Sequence, residues 1–372
     1  MIIVANMTSR KRCVALTLAS MIAAIPQATA EPLDRQAATS AKDLELMSLS
    51  LREVVSFNVG FQGQTQAAGT PNELGVGAFM PLVIGGNSVL FLDALANVNL
   101  ADINNSSSIV NTEVAGTTIS GSTRLGYRWL NANRSWLYGV HVGYDSRPVA
   151  TGKTDTGVLV TNSQTVFFQQ VAAGLEMVNN RWGLNVYGLI PTGTTEAPVN
   201  SNFAAGSLDT YGLDLGFNIT PAMRTSLGYY YQSGDADEAD GSGVRGRVSY
   251  ALSDGLTVGA NLSYDQAFST RFSADIRYRF GSRERTDTAA NRTAENYAVI
   301  RALTQAPAER DVRVHDLLLD GVRDIALRLF GVKTTVEPQP SRLGKAAPAG
   351  YQPRIKCPPL RLNFGGRRNG LC

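Results

Sequence analysis

The sequence predicts an all-β fold: a transmembrane antiparallel β-barrel of about twelve strands, with short helical appendages. Three observations predict it. A hydropathy period of two runs from about Val55 to Phe280, and the connections between the alternating segments are by turns long and short. The chain also opens on an export signal, yet no later segment has the ~18 consecutive apolar residues of a membrane helix.

In the export signal, Arg10, Lys11 and Arg12 form a basic n-region, Val14 to Ile25 is apolar, and Ala28-Thr29-Ala30 supplies a small-x-small cleavage site. Cleavage is expected between Ala30 and Glu31. The apolar run is too short to cross ~30 Å of hydrocarbon as a helix, which takes roughly 20 residues. Cys13 opens that run instead of closing it, which argues against a lipoprotein anchor. Residues 31–54 then form an N-terminal periplasmic segment with Leu44, Met47, Leu51 and Val54 at helical spacing.

The alternating segments are 55–62, 74–82, 88–100, 116–130, 135–146, 164–177, 181–190, 208–219, 223–232, 243–252, 255–265 and 269–280. An even count of membrane-length strands is what a closed bacterial barrel requires, because lipid cannot satisfy an open sheet edge. Short connections at 83–87, 131–134, 178–180, 220–222 and 253–254 alternate with long ones at 63–73, 101–115, 147–163, 191–207 and 233–242. Only 266–268 breaks the rhythm, being short where a long one is due. Tight periplasmic turns and longer external loops give that pattern, and a soluble sandwich has no reason to keep it. Both ends of the barrel then face the periplasm.

Strand faces follow from the period of two. In the last strand Phe272, Ala274, Ile276, Tyr278 and Phe280 share one face, and Arg271, Ser273, Asp275, Arg277 and Arg279 the other. Only the first set suits lipid, since arginine at the bilayer midplane costs roughly 2–4 kcal/mol in a barrel. The same logic turns Trp136, Tyr138, Val140, Val142 and Tyr144 outward and His141 and Asp145 inward. Leu256, Val258, Ala260, Leu262 and Tyr264 likewise point out. Trp129, Trp136, Trp182, Tyr229, Tyr231, Tyr264 and Tyr278 lie towards strand ends, where interfacial girdles form.

Composition agrees. Of 372 residues, 44% are hydrophobic, which excludes a disordered chain. The mean hydropathy of −0.07 reads as soluble only because alternation averages to neutral. The net charge of +3 is too small to imply nucleic acid.

The expected lumen lining is Asp93, Arg124, Arg128, His141, Asp145, Glu176, Asp214, Arg245, Arg247, Asp265, Asp275, Arg277 and Arg279. Such a set either selects ions or small solutes, or fills and stiffens a narrow barrel with ion pairs. Its mixed signs favour the second. His141 with Asp145 invites a catalytic reading, but no serine motif accompanies them and no enzyme is expected. Asp235, Asp237, Glu238 and Asp240 lack the register of a calcium loop, and two histidines with distant cysteines offer no transition-metal cluster. Neither metal nor cofactor is expected.

After the barrel, residues 282–372 form a tail. A polar stretch leads to an expected amphipathic helix at about 311–330, with Leu318, Val322, Ile325 and Leu329 on one face. Beyond Glu337 the chain is Pro- and Gly-rich with seven basic residues and no acidic one. It binds anionic envelope polymers by charge, or is a short passenger threaded through the pore, or is disordered. A periplasmic position is favoured, because the last strand ends on that side and nothing in the tail resembles a surface module. Cys357 and Cys372 lie here; the oxidising compartment allows a disulfide between them, with two idle thiols the alternative.

The strand sequences resemble the inverse autotransporter β-domain of the intimin/invasin family. The matching stretches are Phe91-Leu92-Asp93, Leu125-Gly126-Tyr127-Arg128, Trp136-Leu137-Tyr138-Gly139-Val140 with Tyr144-Asp145, and Gly174-Leu175-Glu176. Trp182-Gly183-Leu184-Asn185-Val186-Tyr187 with Pro191, Gly212-Leu213-Asp214-Leu215-Gly216 and Tyr264-Asp265 continue the series across 55–281. The resemblance implies a twelve-stranded barrel that passes a C-terminal passenger through its lumen to the cell surface, usually for adhesion. The chain departs from that pattern in having no repeated sandwich modules, no lectin-like tip and no evident peptidoglycan-binding module.

The sequence thus leads to an outer-membrane protein with a surface or scaffold role and a very short passenger or periplasmic tail. The alternative is a porin-like channel for small solutes, open or plugged by its tail. The expected partners are outer-membrane lipid, the assembly machinery that reads the terminal Tyr278-Arg279-Phe280, and anionic envelope polymers, with no nucleic acid.

Overall fold

The computed structural model describes residues 50–101, 118–151, 154–155, 158–159, 161–234, 239–253, 255–280 and 297–319. The chain divides into two compact units, residues 1–317 and 318–372, and the barrel belongs to the first.

Helix α1 (Leu51–Val54) precedes strands β1 (Asn58–Gln64), β2 (Asn72–Ile84), β3 (Ser88–Leu100), β4 (Thr118–Leu130) and β5 (Trp136–Val149). Two short strands follow, β6 (Thr154–Asp155) and β7 (Val158–Leu159), then β8 (Val166–Asn179) and β9 (Trp182–Thr192). Next come β10 (Glu196–Pro198), β11 (Phe203–Ser207), β12 (Asp209–Asn218), β13 (Met223–Ser233) and β14 (Gly241–Ser253). The series ends with β15 (Leu256–Asp265), β16 (Ser269–Phe280), helix α2 (Tyr297–Ala302) and β17 (Val314–Leu318).

Twelve of these strands close into one antiparallel barrel, ordered β1-β2-β3-β4-β5-β8-β9-β12-β13-β14-β15-β16 and back to β1. The seam pairs Val59 with Phe280 and Gln64 with Asp275, so the first and last strands leave no free edge. Each expected strand overlaps an observed one. The first was expected at 55–62 but starts at Asn58, because Val55 is buried in an apolar cluster instead of pairing in the sheet.

The outer face is greasy. Leu227, Phe272 and Val142 are 69%, 66% and 56% exposed, while Arg124 on the inner face is fully buried. An apolar belt all round a closed sheet, with its arginines inside, is the inverse of a soluble barrel and suits lipid. Tyr127, Trp129, Tyr138 and Trp136 stack in series, ring centroids 5.7, 5.8 and 6.4 Å apart, at the end of the short turns. Tyr229, Tyr231 and Tyr264 lie exposed near the end of the long loops.

Both ends of the lumen are furnished. At the turn end Leu51, Val55, Phe79, Val89, Phe91, Leu130 and Leu137 form a buried apolar cluster with Val299, Ala302 and Leu303, so α1 and α2 pack into the mouth. At the loop end Ala68, Leu208, Ala239 and Phe268 form a second cluster, beside a small sheet ordered β10-β11-β17. The short connection 266–268 contributes to it: Asp265 accepts the Phe268 backbone N–H at 2.7 Å, and Phe268 is fully buried.

Between the two clusters the chain from Leu303 to Arg313 runs through the lumen without regular secondary structure, beginning in turns that bond Leu303 and Gln305 back to Ile300 and Ala302 and passing through Glu309 at a φ of 55°. This corrects two expectations. The segment following the barrel does not stay at the turn end, since Val314 already bonds Gly69 of the β1–β2 loop. Nor is there helix over 311–318, where the chain is extended and then forms β17. An extended chain offers its carbonyls to donors on the wall, whereas a helix would use them internally. Residues 320–330 of the expected helix lie outside the described residues.

Candidate functional site

The lumen wall is built from alternate residues of neighbouring strands. On β4 and β5, Arg124 makes a bidentate pair with Asp145 at 2.6 and 2.9 Å, and Gln170 of β8 donates to the same carboxylate at 2.7 Å. Arg128 is bidentate to Glu176 at 2.8 and 3.0 Å and lies 4.5 Å over the Phe91 ring, which stacks on Phe79. Planar guanidinium on carboxylate is the strongest such geometry, and here it holds each arginine against the wall with donors left over. Gly143 makes room for this, because a Cβ there would stand 2.6 Å from the Arg124 Cδ.

The leftover donors meet the threaded chain through its backbone. Arg128 donates to the carbonyls of Leu303 and Gln305 at 3.0 and 2.7 Å, and Arg279 to that of Thr304 at 2.5 Å. Higher up, Arg124 reaches the Glu309 carbonyl at 2.9 Å, Gln170 that of Asp311 at 3.3 Å and Arg147 that of Val312 at 2.8 Å. Side chains add register. Glu309 pairs with Arg245 at 2.5 Å, Arg310 with Asp93, and Arg313 with Asp265 at 3.4 Å, while Gln64 donates to Asp311 at 2.8 Å. Arg313 also lies 4.7 Å over the Tyr230 ring.

The thread leaves the lumen incompletely filled. A cavity of about 710 Å³ remains beside it, lined by residues of β1–β4, β8 and β9, by the β12–β16 wall and by residues of the thread. On that wall Arg245 pairs with Asp214, and Arg247 is bidentate to Asp275. Arg277 stands 3.5 Å from the same Asp275.

All thirteen expected lining residues therefore lie inside the barrel and, His141 apart, they divide into two groups. Asp93, Arg124, Arg128, Asp145, Glu176, Asp214, Arg245, Asp265 and Arg279 hold the thread or brace the residues that do. Arg247, Asp275 and Arg277 face the cavity without bonding the thread. His141 is buried with Nε2 at 3.8 Å from Glu176, and Asp145 bonds Arg124 and Gln170 in place of it. Sequence reasoning missed Arg147, Gln170, Gln64 and the thread itself. The period-two run Arg310, Val312, Val314 was the available signal, with Val312 and Val314 buried.

The cleavage site at Ala30 and Glu31 and the cysteines Cys357 and Cys372 lie outside the described residues. So does the acidic loop, apart from Asp240, which accepts the Gly234 N–H at 2.8 Å.

No family model and no curated protein matches the chain. Among solved structures it is similar to a chain from a study of in-meso crystallisation of membrane proteins (11% identity, TM-score 0.48, covering 70% of this chain and 99% of that one). It is also similar to an outer-membrane channel from Pseudomonas putida F1 (14%, 0.38, 60% and 93%). A third likeness is to outer membrane phospholipase A from Escherichia coli (12%, 0.34, 65% and 98%). At these scores the likeness bears on neither family nor activity, and what the chain shows by itself is a closed twelve-stranded antiparallel barrel with a greasy exterior and a polypeptide in its lumen.

Proposed function

We propose that this is an outer-membrane barrel that carries its own C-terminal segment through its lumen to the cell surface, as the resemblance to inverse autotransporter β-domains implies. One observation carries the reading: a non-helical chain passes from the turn end to the loop end and is gripped through six of its backbone carbonyls. Short turns belong to the periplasmic side of such barrels and long loops to the outside. With that orientation, the chain past Leu317 is delivered outward. Backbone-directed donors suit a translocator, because they hold a strand whatever its side chains. The role is non-enzymatic on this reading, since Asp145 is committed to Arg124 and Gln170 and does not serve His141.

The test uses Cys357 and Cys372, the only cysteines of the chain after Cys13. A membrane-impermeant maleimide applied to intact cells, after mild reduction, labels them if the segment is external. Labelling that requires a permeabilised outer membrane defeats the reading.

The runner-up is a channel plugged by its own tail, favoured by the cavity beside the thread. Steady conductance of the intact chain in a planar bilayer, together with maleimide labelling confined to permeabilised cells, would select it.

A further inference from the structure

The charges lining the cavity do not cancel. Of its acids, Asp93 is held by Arg310, Glu176 by Arg128, Asp214 and Glu309 by Arg245, Asp275 by Arg247, and Asp311 by Gln64. Nine arginines line this space against six carboxylates; Arg277 shares Asp275 with Arg247, while Arg224, Arg279 and Arg301 are in no ion pair among the described residues. Arg279 donates to the Thr304 carbonyl and Arg301 to the Thr257 hydroxyl at 3.4 Å, and both acceptors are neutral.

Arg224 is the most telling of them. The one hydrogen-bond partner of its side chain among the described residues is the neutral Asn218 side chain, at 3.3 Å. Its guanidinium lies across Gly183 and Gly216, which face each other between β9 and β12. A Cβ at either position would come within 2.3 Å of the arginine Nη2. Two opposed glycines thus form a slot shaped for an arginine that no carboxylate meets. An arginine held in a low-dielectric wall without a counter-charge is costly, and a guanidinium presents a fork matched to oxyanions.

We propose that the cavity beside the thread is a binding site for a small free oxyanion of phosphate-like charge, held by Arg224 and reached from the turn end. The lining runs down to the turn residues Pro221, Ala222 and Ser253, which gives that approach. About 710 Å³ is within the range of small-molecule pockets. Arg279 contributes charge but is committed to the thread. The proposal does not depend on export of the C-terminal segment, since a plugged channel would hold the same cavity.

The test is calorimetric titration of the full folded chain, in detergent at low ionic strength, with inorganic phosphate. Saturable binding is expected, weakened at least fivefold in Arg224→Gln and retained in Arg224→Lys. The Arg224 side chain does not bond the thread, and fold is checked by gel mobility before and after heating. A second measurement needs no variant: phosphate should protect Arg224 of the wild-type chain from phenylglyoxal, while the exposed Arg52 is modified regardless. Absence of saturable binding, or equal modification of Arg224 with and without phosphate, overturns the proposal.

Discussion

Arg310 of the lumenal thread is ion-paired with Asp93 on β3, and its remaining nitrogens bond the Ser122 side chain at 2.8 Å and the Ser122 carbonyl at 3.0 Å. The two residues are 217 positions apart in sequence, so the pair fixes where along the barrel the thread stops. Both side chains are almost fully buried. Removing one partner of such a pair costs about 3–5 kcal/mol, because the other is left buried and uncompensated. Arg310→Met and Asp93→Asn are each expected to lower the temperature at which the folded barrel loses its fast gel mobility. Combining the two should recover part of the loss; additive effects would show that the pair is not coupled.

Arg124 is expected to be more sensitive than its neighbours, since it joins Asp145 on the wall to the Glu309 carbonyl of the thread. Arg124→Met should expose residues 297–318 to protease in detergent while the barrel strands stay protected. Gly143→Ala should loosen the β4–β5 wall as well as the thread, because the added Cβ would stand 2.0 Å from the Thr123 carbonyl oxygen and 2.6 Å from the Arg124 Cδ. If the alanine variant keeps both fully protected, the close approach at this glycine is not needed.

The barrel was legible in the sequence because lipid and lumen impose opposite demands on successive residues, which leaves a period of two in plain view. His141 and Val142 show it: neighbours in the chain, one buried in the lumen and the other exposed on the belt. The thread was far harder to read. It is held mainly through its carbonyls, which every residue possesses, so little in its side chains announces the contact. The leucine spacing near Leu318 pulled the reading towards a helix, while the run Arg310, Val312, Val314 carried the extended signal over only a few residues. Arg147 was missed for a simpler reason: β5 continues to Val149, three residues beyond its expected end at 146.

The outer face carries its own prediction. Val142 lies mid-strand on β5 and is exposed to the surroundings of the barrel, whereas Ser226 on β13 lines the cavity. Val142→Arg should destabilise the barrel in phospholipid bilayers by roughly 2–4 kcal/mol. Ser226→Glu should be tolerated, since it stands opposite Arg247 in the polar lumen. Denaturant titrations in bilayers measure both. Equal tolerance of the two charged substitutions would mean that the greasy belt does not meet acyl chains.

Deleting residues 297–372 removes the thread and every acceptor it gives to Arg124, Arg128, Arg147, Gln170 and Arg279. The wall should survive, because Arg124 keeps Asp145 and Arg128 keeps Glu176 in bidentate pairs on the barrel itself. The freed donors then face water, which can satisfy them, so the cost falls on the apolar cluster at the turn end that loses Val299, Ala302 and Leu303. A folded but less stable barrel is expected, with a planar-bilayer conductance several times that of the full chain. A truncated barrel that folds but conducts no better would mean that the strands close the lumen without help from the thread.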